Sequence, residues 1–215
     1  MTLIPDLPKI YHITHLDNLT GIISDECLWP NVAMLEKDGS YVDIGMKAVK
    51  QIRNEHPVIC HPGDHVSEYV PFYFCPRSVM LYVINKGQNP DVSYQRGQEF
   101  ILHLEADLQV VVKWADSEKK RWAFTLSNAA GINAEFRCDL HQLGDLDWKA
   151  IDAKYFLDEA TKKKKQAEFL VRDMFPWHLI RRIGVQNEAI KSYILDIFVR
   201  VGYRPIIEVR KDWYF

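Results

Sequence analysis

Short apolar runs, closed by prolines, glycines or polar turns and set irregularly among helix-period segments, constrain this chain most. Tyr69 to Phe74 reads as a buried strand ended by Pro76, and Ala167 to Val171 as another. Lys9 to Ile13, Phe100 to Leu104, Val110 to Trp114, Ile183 to Val185 and Pro205 to Val209 complete the expected strands. A helix is expected from Thr14, where Asp17 three residues on resembles a capping box ahead of Leu16, Leu19, Ile22 and Ile23. A second is expected over 44–54, where Ile44, Ala48 and Ile52 recur every four residues before Pro57. A third runs through Ile190, Ile194, Ile197 and Val201 to Gly202, and Pro176 reads as a first helical position. The stretch 55–68, rich in proline and histidine, reads as loop. Strands and helices do not alternate, so the expected class is α+β with a mainly antiparallel sheet. One domain over residues 1–215 is expected from the length.

Composition narrows the function. Hydrophobic content of 47% is that of a globular chain, and no apolar run is long enough for a membrane span, so no membrane partner is expected. The segment MTLIPDLPKIYHIT lacks the basic-then-apolar layout of a secretory leader, and the scattered Cys27, Cys60, Cys75 and Cys138 fit reduced thiols in the cytoplasm. A net charge of -2 argues against coating a duplex, so any nucleic-acid contact must come from local patches. The candidates are Lys119-Lys120-Arg121, Lys162 to Lys165, and Arg181-Arg182, each of which also reads as an ordinary solvated surface. Neither a dinucleotide-binding G-x-G-x-x-G nor a phosphate-binding P-loop is present.

Several residues have the chemistry of a site. Glu168 opens an apolar strand, where alternation puts it with Leu170 on one face, towards a cleft or solvent; a charge guarding a sheet edge reads the same way. Arg53 lies near the end of the 44–54 helix, beside its apolar face, where a helix dipole alone would favour a cation. His12 and Thr14 sit where a strand gives way to a helix, and free N–H groups there suit an anion. His56, Cys60, His61 and His65 offer metal-ligand types, but their spacing completes no closed site, so no metal is expected. Pro90-Asp91 with Glu118-x-Lys120 loosely spells a metal-dependent nuclease, yet residues 116–120 read as a polar loop.

Taken together, Tyr11-His12-Ile13-Thr14-His15 through Asn18, Glu68 to Ser78, Gln98-Glu99, Leu146-Asp147-Trp148, Gln166 to Val171 and Lys211 to Tyr214 resemble the DarT family of DNA ADP-ribosyltransferase toxins. The resemblance spans nearly the whole chain. It implies a fold like that of poly(ADP-ribose) polymerases and diphtheria toxin, with a split central sheet and flanking helices. It implies NAD+ as co-substrate, no metal, a base of single-stranded DNA as acceptor (thymine favoured, guanine the alternative), and a DarG-type macrodomain antitoxin as partner. By motif match Glu168 is the catalytic glutamate and Arg53 the catalytic arginine. His12, Ile13, Thr14, Asn18, Gly21 and Arg53 fall on NAD+-binding positions. Asn128 and Asn133 are the DNA-contact candidates from 120–135. Lys162, Lys163, Lys164 and Lys165, just ahead of Glu168, are candidate phosphate anchors, and Trp122, Phe124 and Phe136 candidate stacking platforms. A monomer is expected. The alternatives are an ADP-ribosyltransferase acting on RNA or protein, and a metal-dependent nuclease.

The chemistry agrees with that reading. Nicotinamide leaves a cationic linkage as a neutral base, so the demand is to steady positive charge on the ribose carbon. One fixed carboxylate does so without a metal or a covalent intermediate. A thymine N3 proton must also be removed, and the permanent cation of Arg53 is suited to stabilising the resulting anion. Single strands present their bases unpaired, which spares a small acidic protein the work of opening a duplex.

Overall fold

The computed structural model describes residues 4–37 and 41–215; Met1, Thr2 and Leu3 of the segment read as lacking a leader lie outside them. The strands are β1 (Lys9–His15), β2 (Cys27–Leu28), β3 (Tyr69–Tyr73), β4 (Ile101–Asp107), β5 (Trp122–Thr125), β6 (Phe136–Arg137), β7 (Glu168–Arg172), β8 (Phe175–Pro176), β9 (Ile180–Val185) and β10 (Ile206–Val209). The helices are α1 (Leu19–Ser24), α2 (Asn31–Glu36), α3 (Lys47–Glu55), α4 (Val79–Lys86), α5 (Leu108–Ser117), α6 (Trp148–Asp152), α7 (Glu159–Lys164) and α8 (Glu188–Ile197). Eight strands form one sheet in the order β10-β9-β4-β1-β3-β7-β5-β6, with β2 and β8 pairing apart. Among the described residues only β9 and β10 run parallel. The α+β class with a mainly antiparallel sheet is therefore what forms.

The sheet is nearly divided in its middle. β1 pairs with β4 from Lys9↔Asp107 to His15↔Ile101, and β3 with β7 from Tyr69↔Arg172 to Tyr73↔Glu168. Between β1 and β3 one register pair stands, Tyr11↔Tyr73. Pro71 explains the break. Its carbonyl oxygen lies 2.8 Å from His12 Nδ1, so the polar edge of residue 71 faces β1. In a strand the N–H and C=O of one residue point the same way, and proline has no N–H to give. The ladder cannot continue past Phe72, and the His12 imidazole takes the carbonyl that a strand partner would have used.

Several expected elements are revised. Val110–Trp114 belongs to helix α5, not to a strand: the buried residues Leu108, Val111, Val112 and Ala115 follow helical spacing, which outweighs the β-branched run. Thr14 stays in β1, and His15 caps the following turn by accepting from the Asp17 N–H. Pro176 lies in β8 and precedes a single 3-10 turn. α3 begins at Lys47, where the Asp91 carboxylate accepts the Ala48 N–H at 3.2 Å. Its expected apolar face is not buried: Ile52 is 49% exposed and no residue of α3 is fully buried. Trp122, Phe124 and Phe136 are core residues, which removes them as stacking platforms.

The closing Lys211 to Tyr214 motif fastens the chain end to the sheet. Tyr214 donates its hydroxyl to the Ile101 and Gly184 carbonyls at 2.7 and 3.1 Å, and buried His103 lies edge-on to both Trp213 and Tyr214. Gly184 leaves the space for Trp213, since a Cβ there would sit 2.3 Å from its ring. Gly184→Ala is expected to cost about 1–3 kcal/mol by overpacking; an unchanged urea midpoint would contradict that seat. Burial pushes the His103 imidazole down from 6.5 to about 4. A depressed histidine contributes stability that is complete above 6.5 and is lost as pH falls towards 4, about 2 kcal/mol between pH 7 and 5. Urea midpoints should fall over that range and fall less in His103→Leu; parallel pH profiles would refute this.

Candidate active site

Glu168 begins β7 and its side chain is 2% exposed, although the sheet continues beyond it. Its backbone N–H donates to Thr125 Oγ1 at 3.1 Å, and the Thr125 hydroxyl donates onward to the Ser127 carbonyl at 2.6 Å. This bond ties the start of β7 to the end of β5. The carboxylate has three donors in reach. Arg53 Nη1 and Nη2 reach Oε2 at 2.9 and 3.0 Å, with Nη1 also 3.3 Å from Oε1. The Ala129 N–H donates to Oε1 at 2.9 Å. Asn128 shapes the turn that presents this amide, since its Oδ1 accepts the Ala130 N–H at 2.8 Å and its Nδ2 reaches Gln166 Oε1 at 3.3 Å. The expectation that Glu168 faces an open cleft or solvent is thus corrected: Arg53 and the 127–131 turn cover it.

Arg53 reaches the carboxylate from the last turn of α3, where its side chain is 13% exposed. A guanidinium suits the task because its planar fork meets a carboxylate with parallel N–H groups. The segment leading into α3 is held from the other side. Asn18 donates to the Val42 carbonyl at 3.0 Å and accepts the Val42 N–H at 2.8 Å, while also donating to Thr14 Oγ1 at 3.1 Å. Thr14 and Asn18 therefore connect the end of β1 to the loop that leads into α3, the helix of Arg53. Gly21 is exposed on α1, with open space where a Cβ would stand. Ile13 is half-buried and packs with the cluster that contains Tyr11.

Across the sheet, Tyr11, Tyr73 and Glu168 are successive register partners, so their side chains leave the same face. Alternation places His12 and Thr14 on the opposite face of β1. The structure does not bring His12 into contact with Glu168; it brings His12 to the split. The Nδ1 contact with a carbonyl makes that nitrogen the N–H and leaves Nε2 as acceptor. Burial lowers the His12 pKa, favouring the neutral ring. Burial first, and the Glu168 charge after it, raise the Tyr73 pKa, so the phenol beside the carboxylate stays protonated.

The basic candidates are mostly engaged. Lys165 is buried, donating to the Ile151 carbonyl at 2.6 Å with its Nζ 3.4 Å from Cys75 Sγ, so it is removed from the expected phosphate-binding run. Lys164 pairs with Asp147 at 2.8 Å and Lys162 with Glu159 at 3.2 Å, whereas Lys163 is exposed. Arg182 meets Glu105 and Glu208, and Arg121 meets Asp64. Asn133 is exposed beside Ile132, which is 96% exposed. The nuclease constellation does not assemble: Asp91 is occupied at the start of α3, and Lys120 pairs with Asp173 at 2.9 Å. Sequence reasoning missed Ala129 and Thr125. A backbone N–H is contributed by any residue but proline, so Ala129 leaves no signal in side-chain chemistry. Tyr73 lies inside the quoted Glu68 to Ser78 block, where its pairing with Glu168 became visible only with the register.

Comparison with known proteins places this geometry. A DNA ADP-ribosyl transferase of Thermus sp. strain 2.9 is 40% identical over 216 residues, covering 98% of each chain. One from Thermus aquaticus is 37% identical over 208 residues, covering 96% of this chain and 88% of the relative. The solved structure of Thermus sp. 2.9 DarT in complex with ADP-ribosylated ssDNA matches with a TM-score of 0.89 at 38% identity, covering 100% of this chain and 99% of that one. The same protein in complex with NAD+ matches with a TM-score of 0.84 at 39% identity, covering 99% of this chain and 100% of that one. A family profile described as "ssDNA thymidine ADP-ribosyltransferase, DarT" matches residues 11–215, and the chain belongs to the DarT family.

Proposed function

We propose that this chain transfers ADP-ribose from NAD+ to the N3 of thymine in single-stranded DNA, with Glu168 and Arg53 as the catalytic pair. The observation that carries this reading is the buried contact of Arg53 with Glu168 at the start of β7, where both Nη atoms converge on Oε2. An arginine beside a carboxylate is commonly structural, but here the chain invests a helix with no fully buried residue in delivering one guanidinium. Elements with little buried apolar surface shift most easily, so α3 is able to move when NAD+ enters.

When Arg53 gives way, the Glu168 carboxylate is free to accept a hydrogen bond from a ribose hydroxyl. Its charge then stabilises the cation that forms as the C1′–N bond to nicotinamide breaks and the electron pair leaves with the base. Thymine N3 closes the new bond to C1′, and its proton passes to the Glu168 carboxylate. Arg53, released from that carboxylate, stabilises the electron-rich base as the proton leaves. The Ala129 N–H keeps one carboxylate oxygen in place throughout.

His12, Ile13, Thr14, Asn18 and Gly21 are proposed to bound the NAD+ site along the split, with Asn18 acting mainly through the loop it holds. Asn128, Asn133 and Ile132 present the loop over Glu168 to the DNA strand, with Lys163 as an exposed phosphate contact. The whole chain acts as one catalytic domain. Among the described residues no helix is long and apolar enough to cross a membrane. A cytoplasmic monomer held in check by a macrodomain antitoxin of the DarG type completes the reading.

Incubation with NAD+ and single-stranded oligonucleotides should add one ADP-ribosyl mass to strands containing thymine and none to thymine-free strands. Label on guanine, RNA or protein alone would defeat the thymine assignment. Glu168→Gln is expected to slow single-turnover transfer on the order of 10³-fold, with NAD+ affinity changed far less. Arg53→Lys keeps the charge but loses the fork, so a rate loss of about tenfold or more is expected. Arg53→Ala also strands a buried carboxylate, at a cost of about 3 kcal/mol in stability. Adding Glu168→Gln to Arg53→Ala should recover most of that stability. A double variant no more stable than Arg53→Ala would show that the two groups are not paired.

A further inference from the structure

Away from the split, the fold assembles a second set of reactive side chains. The sulfurs of Cys60 and Cys138 and a ring nitrogen of His61 lie within 4.8 Å of one another, the one such His/Cys/Asp/Glu group among the described residues. Cys60 and His61 belong to the loop between α3 and β3, and Cys138 directly follows β6. Sequence spacing offered His56 and His65 as companions, but neither joins. His65 is exposed beside Glu68, and His56 lies against Phe136 with ring centroids 6.1 Å apart. Chain folding substitutes Cys138, which no local spacing could reveal.

One nitrogen of His61 is held by the backbone. Its Nε2 lies 2.8 Å from the Trp122 carbonyl oxygen, and a carbonyl only accepts, so Nε2 carries the hydrogen and Nδ1 keeps its lone pair. A backbone acceptor that fixes tautomer and ring orientation is the usual companion of an imidazole ligand. A tetrahedral zinc with sulfur ligands at about 2.3 Å needs them about 3.8 Å apart, against the 4.8 Å within which the three ligand atoms lie here. His61 and Cys138 line an open groove of about 650 Å³, which leaves room for water at the remaining position.

We propose that Cys60, His61 and Cys138 form a three-ligand site for a thiolate-seeking divalent cation, zinc by its chemistry. The cation clasps the loop that follows α3 to the residue after β6. One of those segments continues from the helix of Arg53, and the other follows the 126–135 loop whose Ala129 N–H holds Glu168. Its role is to brace the two, and ADP-ribose transfer does not pass through it.

Titration of the reduced, metal-free protein with cobalt(II) should give one equivalent per chain with thiolate-to-cobalt charge-transfer absorption, which zinc then displaces. Cys138 is exposed, so Cys138→Ser should fold normally. It and His61→Gln are expected to weaken cobalt binding at least about tenfold. Cys27→Ser should leave it unchanged. Zinc should raise the melting temperature of the unsubstituted protein and not that of Cys138→Ser. The proposal is overturned by a reduced protein that shows no thiolate band, or by a band that persists when Cys60 and Cys138 are both serine.

Discussion

A carboxylate withdrawn from water has to be matched by donors, and the arrangement around Glu168 depends on that requirement. The donors are the Arg53 fork and the Ala129 N–H. They come from a helix early in the chain and from a loop between β5 and β6, so one buried negative charge fixes two distant segments. Breaking a buried pair costs more than forming it contributes, because the remaining charge has no solvent to return to. On the function proposed here the pair is a latch, held while the ribose is absent and exchanged when a ribose hydroxyl takes over as donor.

The split in the sheet has an equally local cause. A single proline, Pro71, faces β1 without an N–H and ends the β1–β3 ladder after one pair. Two well-paired halves then diverge from Tyr11 and Tyr73, and the edge so exposed is where His12 and Thr14 lie. Prolines in central strands normally weaken a sheet, so the cost is accepted where an opening is needed.

Much of this was legible in the sequence, for reasons that differ by element. Tyr69 to Phe74 reads as an apolar run because no charge interrupts it, and Ala167 to Val171 reads as one despite Glu168, the single polar residue within it. α5 was misread because Val110, Val111 and Val112 favour a strand locally, whereas the buried positions follow helical spacing. α4 went unread although Ser78 accepts the Leu81 N–H and Gly87 closes the helix at φ 58°; its apolar run lacks a clear polar face. Glu168 and Arg53 are offered by motif, but their contact joins positions 53 and 168 and depends on tertiary folding. Lys165 shows the converse. A lysine run looks like solvated surface, yet its last member turns inward because the Ile151 carbonyl is there to receive it.

The central claim is that the Glu168 carboxylate leaves Arg53 to act on the ribose. A crystal structure of this protein with NAD+ bound tests that most directly. The account predicts a Glu168 carboxylate oxygen within about 2.5–3.0 Å of a ribose hydroxyl, with the contact to Arg53 released. A bound dinucleotide with the Arg53 fork still closed on Glu168 and the ribose turned away would contradict it.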